Sequence, residues 1–161
     1  MAQGIDVTVA AIIERDAHFL LVEERVAGRL VLNQPAGHLE PGESLLAAVV
    51  RETFEETGHR FEPRELVGVY LWHSDEAATS FLRVTFCGTA QPPATEPTLD
   101  DGIVGVHWLS HDAIAHRRRD LRSPMVLRCL DDYVAGARYP LNCLKHLTTP
   151  PVQTAIRAAR G

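Results

Sequence analysis

Three glutamates, Glu52, Glu55 and Glu56, crowd into five consecutive positions of the stretch RETFEETG, residues 51–58. Side chains three and four positions apart on an α-helix are neighbours, so Glu52 faces both of the others, and each like-charged pair costs about 0.2–0.5 kcal/mol. The C-terminal end of a helix carries partial negative charge, which disfavours acids further. Since no Lys or Arg lies three or four residues upstream of Glu52, we expect the compensating positive charge to come from elsewhere.

The three acids belong to a longer pattern. Residues 37–59 read GHLEPGESLLAAVVRETFEETGH, which has the spacing G-x5-E-x7-R-E-x-x-E-E-x-G. A chance match at all of these positions has a probability of about 10^-8 or less per window. The pattern resembles the Nudix box, the signature of the Nudix hydrolase family. Thr53 and His59 stand where bulky aliphatic residues are usual in that family, but no charged or glycine position of the motif is altered.

The chemistry of these side chains agrees with the resemblance. Carboxylate oxygens clustered on one face of a helix are suitable ligands for Mg2+, with Mn2+ as a possible substitute. A divalent ion would supply the missing positive charge, bridge a diphosphate and lower the pKa of an attacking water. The sequence therefore predicts hydrolysis of a phosphoanhydride. The alternative is a solvated acidic helix face without a chemical role.

The resemblance also implies a role for each residue of the motif. Glu52, Glu55 and Glu56 would bind the metal together with the carbonyl oxygen of Gly37, and one of these glutamates, with Glu52 favoured, would activate the attacking water. Glu56 is assigned to catalysis as well as to the metal. Glu43 would hold Arg51, which orients the catalytic glutamates, although a purely structural pairing of these two is an alternative. The loop 37–42 would let the backbone approach the phosphates closely, and Gly58 would end the helix.

Three further segments resemble one bacterial branch of the same family: NQPAGHLE at 33–40, LRSP at 121–124 and RYPL at 138–141. This resemblance implies a monomeric, Mg2+-dependent hydrolase of nucleoside tri- and diphosphates. It also implies cleavage of the pyrimidine diphosphate precursor of thiamine to its monophosphate.

Five residues are candidates for contact with the substrate. Asn33, Gln34 and His38 flank the phosphate loop. Arg122 and Ser123 would present a guanidinium and a helix N-terminus to an anion. For Ser123 the alternative is a plain N-cap.

Two aromatic residues and three loop acids have open roles. Trp72 and Phe81, on neighbouring predicted strands, could stack a base or pack in the interior. Glu96, Asp100 and Asp101 lie in a long loop, where related enzymes often place a further acid that reaches a metal. The alternative for these three is a solvated loop.

Composition restricts the kinds of partner and the compartment. With 161 residues and a net charge of -5, the chain fits one domain, and the charge argues against a nucleic acid polymer or an anionic membrane as the main partner. The family resemblance implies a small phosphorylated substrate instead. Three cysteines, an odd number without C-x-x-C spacing, favour a reducing compartment, and we expect the cytoplasm. We expect neither export nor a membrane anchor, and the lack of a long amphipathic seam favours a monomer.

The hydrophobic pattern predicts an α+β fold, a mixed sheet flanked by two helices. Strands are expected at 7–13, 19–23, 30–33, 67–73, 80–89 and 103–109, the first two forming a hairpin. Helices are expected at 44–57 and from Ser123-Pro124 to about Gly136, with a short helical turn opening at Ser110. With the family resemblance, this becomes a Nudix-type α/β/α sandwich in one domain, 1–161. Residues 139–161 are expected to form a C-terminal tail that drapes over the domain or is partly mobile, with a weak helical pattern after Val152.

The motif leaves alternatives for the function. The substrate could be ADP-ribose, a capped nucleotide or a dinucleoside polyphosphate, and the products would distinguish these cases. The chain could also be a non-catalytic Nudix module that senses a nucleotide, although the intact set of glutamates speaks against this.

Overall fold

The computed structural model describes residues 4–148. Their helices and strands follow in the order β1 (Ile5–Arg15), β2 (His18–Val26), β3 (Arg29–Asn33), β4 (Ala36–His38), α1 (Leu45–Thr57), β5 (Arg60–Ser74), β6 (Thr79–Gln91), β7 (Ile103–Ser110), α2 (His111–His116), α3 (Pro124–Val134) and β8 (Tyr139–Pro140). None of the helices in this part of the chain is long and apolar enough to cross a membrane.

The strands form a mixed sheet, as the sequence predicts. Their order is β3-β2-β1-β6-β5-β8, with β4 added to β1 and β7 added to β2. β1 and β6 run parallel, with Ile5 opposite Ser80 and Ile13 opposite Gly88, while β5 and β6 form a long antiparallel pair. The predicted hairpin of β1 and β2 is paired only at its turn, through Glu14 and Arg15, because β1 continues along β6 and β2 continues along β3 and β7.

Helices cover the two faces of the sheet, and the fold is the predicted sandwich. Alternate side chains of β1 point to opposite faces. Val9, Ala11 and Ile13 belong to the core beneath α1, whereas Ile12 belongs to the core beneath α3, where Cys129 of that helix is fully buried. The sheet therefore holds α1 and α3 in fixed positions on opposite sides.

One strand, β4, was not predicted, and another, β5, begins earlier than predicted. β4 lies inside the segment expected to be a loop, because the edge of β1 pairs with it from Thr8–His38 to Ala10–Ala36. β5 begins at Arg60 rather than at residue 67, and its pairing with β6 shifts between Pro63 and Glu65 and again between Leu66 and Gly68. Proline has no N–H to donate to the ladder, so its presence concealed this strand in the sequence.

The C-terminal segment begins on the sheet. Tyr139 and Pro140 pair with β5 as β8, and Leu141 and Leu144 pack against the core beneath α1. The rest of the expected tail, 149–161, with the weak helical pattern after Val152, lies outside the described residues.

Candidate active site

Helix α1 positions the three glutamates, and its ends are set by local sequence. The Ser44 hydroxyl accepts a hydrogen bond from the N–H of Ala47 at 3.1 Å, which caps the first turn. Gly58 ends the helix in the left-handed conformation, with φ of 70°, and its N–H donates to the Phe54 carbonyl. With these ends, α1 buries Glu52 and Glu56 and leaves Glu55 partly exposed.

The buried carboxylates lie against the backbone of β4. The Ala36 N–H donates to Oε2 of Glu56 at 2.9 Å. Gly37 lies so close to the Glu52 carboxylate that a Cβ at this position would overlap it. The glycine of the motif is therefore required for the close approach of strand and helix, and its φ is not positive.

Arg51 binds three of the four motif acids. Its Nε and Nη2 donate to the two oxygens of Glu43, each at 2.9 Å, and its Nη1 donates to Oε1 of Glu52 at 2.7 Å and to Oε2 of Glu55 at 3.0 Å. Nη2 also donates to the His38 carbonyl at 3.1 Å. The compensating charge was expected to come from elsewhere because no Lys or Arg lies three or four residues upstream of Glu52, but Arg51, directly before Glu52, supplies part of it. Arg51 precedes Glu55 by four residues and so shares its face.

Contact with Arg51 and burial shift the pKa values of the motif acids in different directions. The hydrogen bond from Arg51 holds the pKa of Glu43 below its ordinary value. Burial raises the pKa of Glu52, against the opposing effect of Arg51. Burial raises the pKa of Glu56 to about 8, helped by the negative charges of Glu24, Glu52 and Asp100. Positive charge is therefore lacking chiefly around Glu56.

The donor set fits a hard divalent cation. Within residues 4–148, each of Glu52, Glu55 and Glu56 keeps one carboxylate oxygen that accepts no hydrogen bond from the protein. In the same part of the chain, no three acidic, histidine or cysteine side chains converge at the distances of a metal site. Glu55 points one oxygen at Arg51 and is 37% exposed, so its side chain has the freedom to turn.

A cleft of about 680 Å³ opens beside the two buried glutamates. Asn33, His38, Arg122 and Ser123, four of the five predicted substrate contacts, line it. The exposed His38 side chain lies 3.8 Å from Asp6, and Arg122 lies 3.5 Å from Glu24.

Gln34 and Ser123 differ from their expected settings. Gln34 is buried behind the cleft, where its amide donates to the Val126 carbonyl at 2.7 Å, and it does not line the cleft. Ser123 stands at the N-cap position of α3, but its hydroxyl makes no capping hydrogen bond. The N-cap position expected for Ser123 is therefore confirmed, without the side-chain hydrogen bond of a cap.

Sequence reasoning missed Arg83 and Glu24, which also line the cleft. An arginine amid the apolar residues of a central strand, FLRVTF at 81–86, is the feature that could have indicated the first. Trp72 and Phe81, opposite each other on β5 and β6, stack with ring centroids 5.6 Å apart and form part of the cleft wall.

One of the three loop acids lies near the glutamates. The Asp100 N–H donates to the Glu55 carbonyl at 3.0 Å, and the Asp100 charge raises the pKa of Glu52 and of Glu56. Upstream in the same loop, Pro97 lies over Gly58. The loop is thus attached to the C-terminal end of α1.

Comparisons with known proteins agree with this geometry. The NUDIX domain model matches residues 4–129. The chain is 35% identical over 144 residues to the phosphatase NudJ of Escherichia coli strain K12, covering 89% of this chain and 93% of that one. A solved NUDIX hydrolase from Nitrosomonas europaea is 48% identical, with a TM-score of 0.87 over 89% of this chain and 98% of that chain. The MutT protein of Methanosarcina mazei, 22% identical with a TM-score of 0.66, covers 84% of this chain and 94% of that one and shares the fold.

The chain belongs to the Nudix family. It is a Nudix hydrolase, an enzyme that acts on phosphoanhydrides, and members of this family generally need divalent cations.

Proposed function

We propose that this protein is a Mg2+-dependent phosphatase of small phosphoanhydrides. It releases phosphate from nucleoside tri- and diphosphates and from hydroxymethylpyrimidine diphosphate, the thiamine precursor, and acts as a monomer in the cytoplasm, the whole chain forming one domain. The observation that carries the proposal is the pair of buried carboxylates, Glu52 and Glu56, which pack on the backbone at Gly37 and Ala36 and line a cleft.

The metal would be held by Glu52, Glu55, Glu56 and the Gly37 carbonyl oxygen. When bound, it would neutralise charge on the phosphates and lower the pKa of a water molecule. Mn2+ would serve as a substitute because it prefers the same oxygen ligands. The proposal requires that Glu55 turn from Arg51 toward the other two carboxylates.

The protein's own side chains would orient the catalytic base and deprotonate the attacking water. Arg51, fixed by two hydrogen bonds to Glu43, holds Glu52 in one orientation through a third. Glu52 would then accept the proton of the attacking water, because its burial raises its pKa and so makes it a stronger base. His38 and Arg122, which line the cleft and are exposed, would bind the phosphates. Asp100 is the loop acid best placed to join this group.

Release of orthophosphate is supported by the relatives. The protein from Escherichia coli that matches nearly the full chain is named a phosphatase. ADP-ribose or a dinucleoside polyphosphate would instead yield nucleoside monophosphates, and a sensing module would yield no product.

A product analysis tests the proposal. The full chain is incubated with Mg2+ and nucleoside tri- and diphosphates, hydroxymethylpyrimidine diphosphate, ADP-ribose and a dinucleoside polyphosphate, and the phosphorus-containing products are resolved by 31P NMR. We expect orthophosphate from the first three. Nucleoside monophosphate from the last two alone, or no product at all, would contradict the proposal.

The Glu52→Gln variant tests the assignment of the base. We expect kcat to fall by about 100-fold or more, because an amide cannot accept the proton, and we expect EDTA to abolish activity of the wild-type protein. Glu62→Gln, which alters an exposed acid on β5, is the matched control and should leave kcat unchanged. Activity of Glu52→Gln close to that of the control would exclude Glu52 as the base.

A further inference from the structure

Arg83 is a buried cation without a direct anionic partner. It lies in the centre of β6 and is only 4% exposed. Its Nη1 donates to Oε1 of Gln34 at 3.0 Å and its Nη2 to Oδ1 of Asn33 at 3.1 Å, and both partners are neutral amides. Among residues 4–148 no carboxylate pairs with it directly, and its Nε has no hydrogen-bond partner. Burying a charge without a counter-charge costs several kcal/mol, so this position calls for a functional reason.

The guanidinium is held in one orientation. The Gln34 amide is itself fixed by the Val126 carbonyl of α3, and the Asn33 amide donates to Glu24 at 3.4 Å. Each amide therefore turns its oxygen toward Arg83 and its nitrogen away. An arginine supported in this way loses little further entropy when a ligand binds.

Other unsatisfied polar groups lie in the same cleft. Within residues 4–148, four side chains have a buried polar atom without a hydrogen-bond partner. Three of them, Thr8, Arg83 and Ser123, line the cleft, whereas the fourth, His107, lies near Glu23 elsewhere. Because buried polar groups in folded proteins are nearly always paired, this concentration indicates a place built for a ligand.

The surroundings of Arg83 suit an organic ring better than a phosphate. The pair Tyr70–Arg83 is followed along the two strands by the pair Trp72–Phe81. Side chains two positions apart on a strand share a face, so Phe81 and Trp72 form an apolar wall beside the guanidinium. The phosphates would bind at Glu52 and Glu56, which line the same cleft and would hold the metal.

We propose that Arg83 is the residue that recognises the organic group of the substrate. It donates a hydrogen bond to an acceptor on the edge of a planar heterocycle, a carbonyl oxygen or a ring nitrogen such as a pyrimidine offers, while Trp72 covers the face of the ring. The inference rests on the proposed function only in placing the phosphates at Glu52 and Glu56.

Two probes separate the ring from the phosphates. Cytidine diphosphate carries both, and inorganic pyrophosphate carries phosphates alone. Their dissociation constants are measured by calorimetry in Ca2+ for the wild-type protein, Arg83→Gln and Trp72→Leu, and kcat and KM for cytidine diphosphate are measured in Mg2+. The matched controls are Arg64→Gln, an exposed arginine on β5, and Leu71→Ala, an exposed neighbour of Trp72 on the opposite face.

We expect Arg83→Gln to weaken binding of cytidine diphosphate about ten- to hundredfold, as for the loss of a hydrogen bond to a charged group. The affinity for pyrophosphate should change less than about twofold, since the phosphates keep their contacts, and KM should change more than kcat. Trp72→Leu should show the same selectivity to a smaller degree. Equal weakening of both probes, or no weakening of either, would overturn the proposal.

Further results separate a failed inference from a misfolded variant and from a failure of the proposed function. Circular dichroism reports whether Arg83→Gln folds. If it does not, Trp72→Leu decides, because Trp72 is only partly buried, and the same two results with that variant overturn the proposal. Arg83-dependent binding by a protein that hydrolyses nothing would reject the proposed function and leave this inference standing. Hydrolysis by a protein whose binding does not depend on Arg83 or Trp72 would keep the proposed function and reject this inference. A wild-type protein that binds neither probe would reject the proposed function and this inference together.

Discussion

Glu56 is the buried acid of the motif that Arg51 does not contact. Its pKa is raised to about 8, from an ordinary value of 4.5, first by burial and then by neighbouring acids. The protonated form is therefore the form that the fold favours. The contribution of this group to stability is complete below pH 4.5 and is lost as the pH rises through about 8, because the unfolded chain ionises first.

The same proton must leave when a divalent cation binds to the carboxylate. We expect Mg2+ affinity to increase from about pH 6 to about pH 8 and binding near neutral pH to release a proton. Calorimetry in buffers with different ionisation enthalpies measures that release. Glu56→Gln should abolish it, and Glu62→Gln should not. A release of protons in Glu56→Gln equal to that of the wild-type protein would assign the proton to another group.

Gly37 is the residue whose lack of a side chain matters most to the site. In Gly37→Ala the new methyl group would overlap the Glu52 carboxylate, so we expect kcat to fall by about 100-fold. Gly28→Ala, in the turn between β2 and β3, is the control. Its φ of 79° makes alanine strained, but no other atom lies within 4 Å of the added Cβ, so it should lose stability and keep its activity. Similar kcat values for the two variants would contradict the role given to Gly37.

At the scale of elements, the end of α1 is joined to the loop that follows β6. Gly58 has a φ of 70°, and a Cβ there would lie 2.5 Å from Cβ of Pro97. Gly136, after α3, has a φ of 92° with open space around it. The two positions share a strained conformation and differ in crowding.

Substitution of these two glycines separates strain from crowding. We expect Gly136→Ala to cost about 1–2 kcal/mol of unfolding free energy, the cost of a left-handed conformation for a residue with a Cβ. Gly58→Ala should cost more, because Pro97 must also move. Urea denaturation measures both. Equal losses of unfolding free energy would mean that Pro97 moves aside without a measurable cost.

The helix that carries the motif could be predicted from the sequence because its determinants are local. Ser44, Gly58 and the spacing of the acids are read within one stretch of chain, and the structure begins and ends α1 there. β4 could not be predicted, because three residues with one glycine form a strand only when the edge of β1 lies beside them. Pro63 interrupted the pattern of β5, whose early part depends on pairing with the distant end of β6.

At the scale of the whole molecule, the cleft is assembled from segments far apart in sequence. Thr8, Arg83 and Ser123 line it together, although they come from β1, β6 and the start of α3. The acidic half of the site was predictable because one helix carries it. The part around Arg83 was not, since its environment depends on Asn33 and Gln34, about fifty residues earlier.

A ligand that spans this cleft should stabilise the entire domain. At a concentration 100 times its Kd, a ligand adds about 2.7 kcal/mol to the unfolding free energy. We expect cytidine diphosphate with Ca2+ to raise the Tm, and cytidine without phosphates to raise it less at the same concentration. Differential scanning fluorimetry measures both shifts. An equal effect of the two ligands would contradict the proposal that the phosphates bind at Glu52 and Glu56.

The attachment of the long loop at Asp100 and Pro97 has a practical consequence for labelling. Residues 92–96 precede both anchor points and lie outside the cleft lining. A fluorophore introduced through a cysteine at Ala94 would therefore lie next to α1 without entering the cleft. Because Cys87 and Cys129 are buried and Cys143 is exposed, replacing Cys143 alone would make such labelling selective.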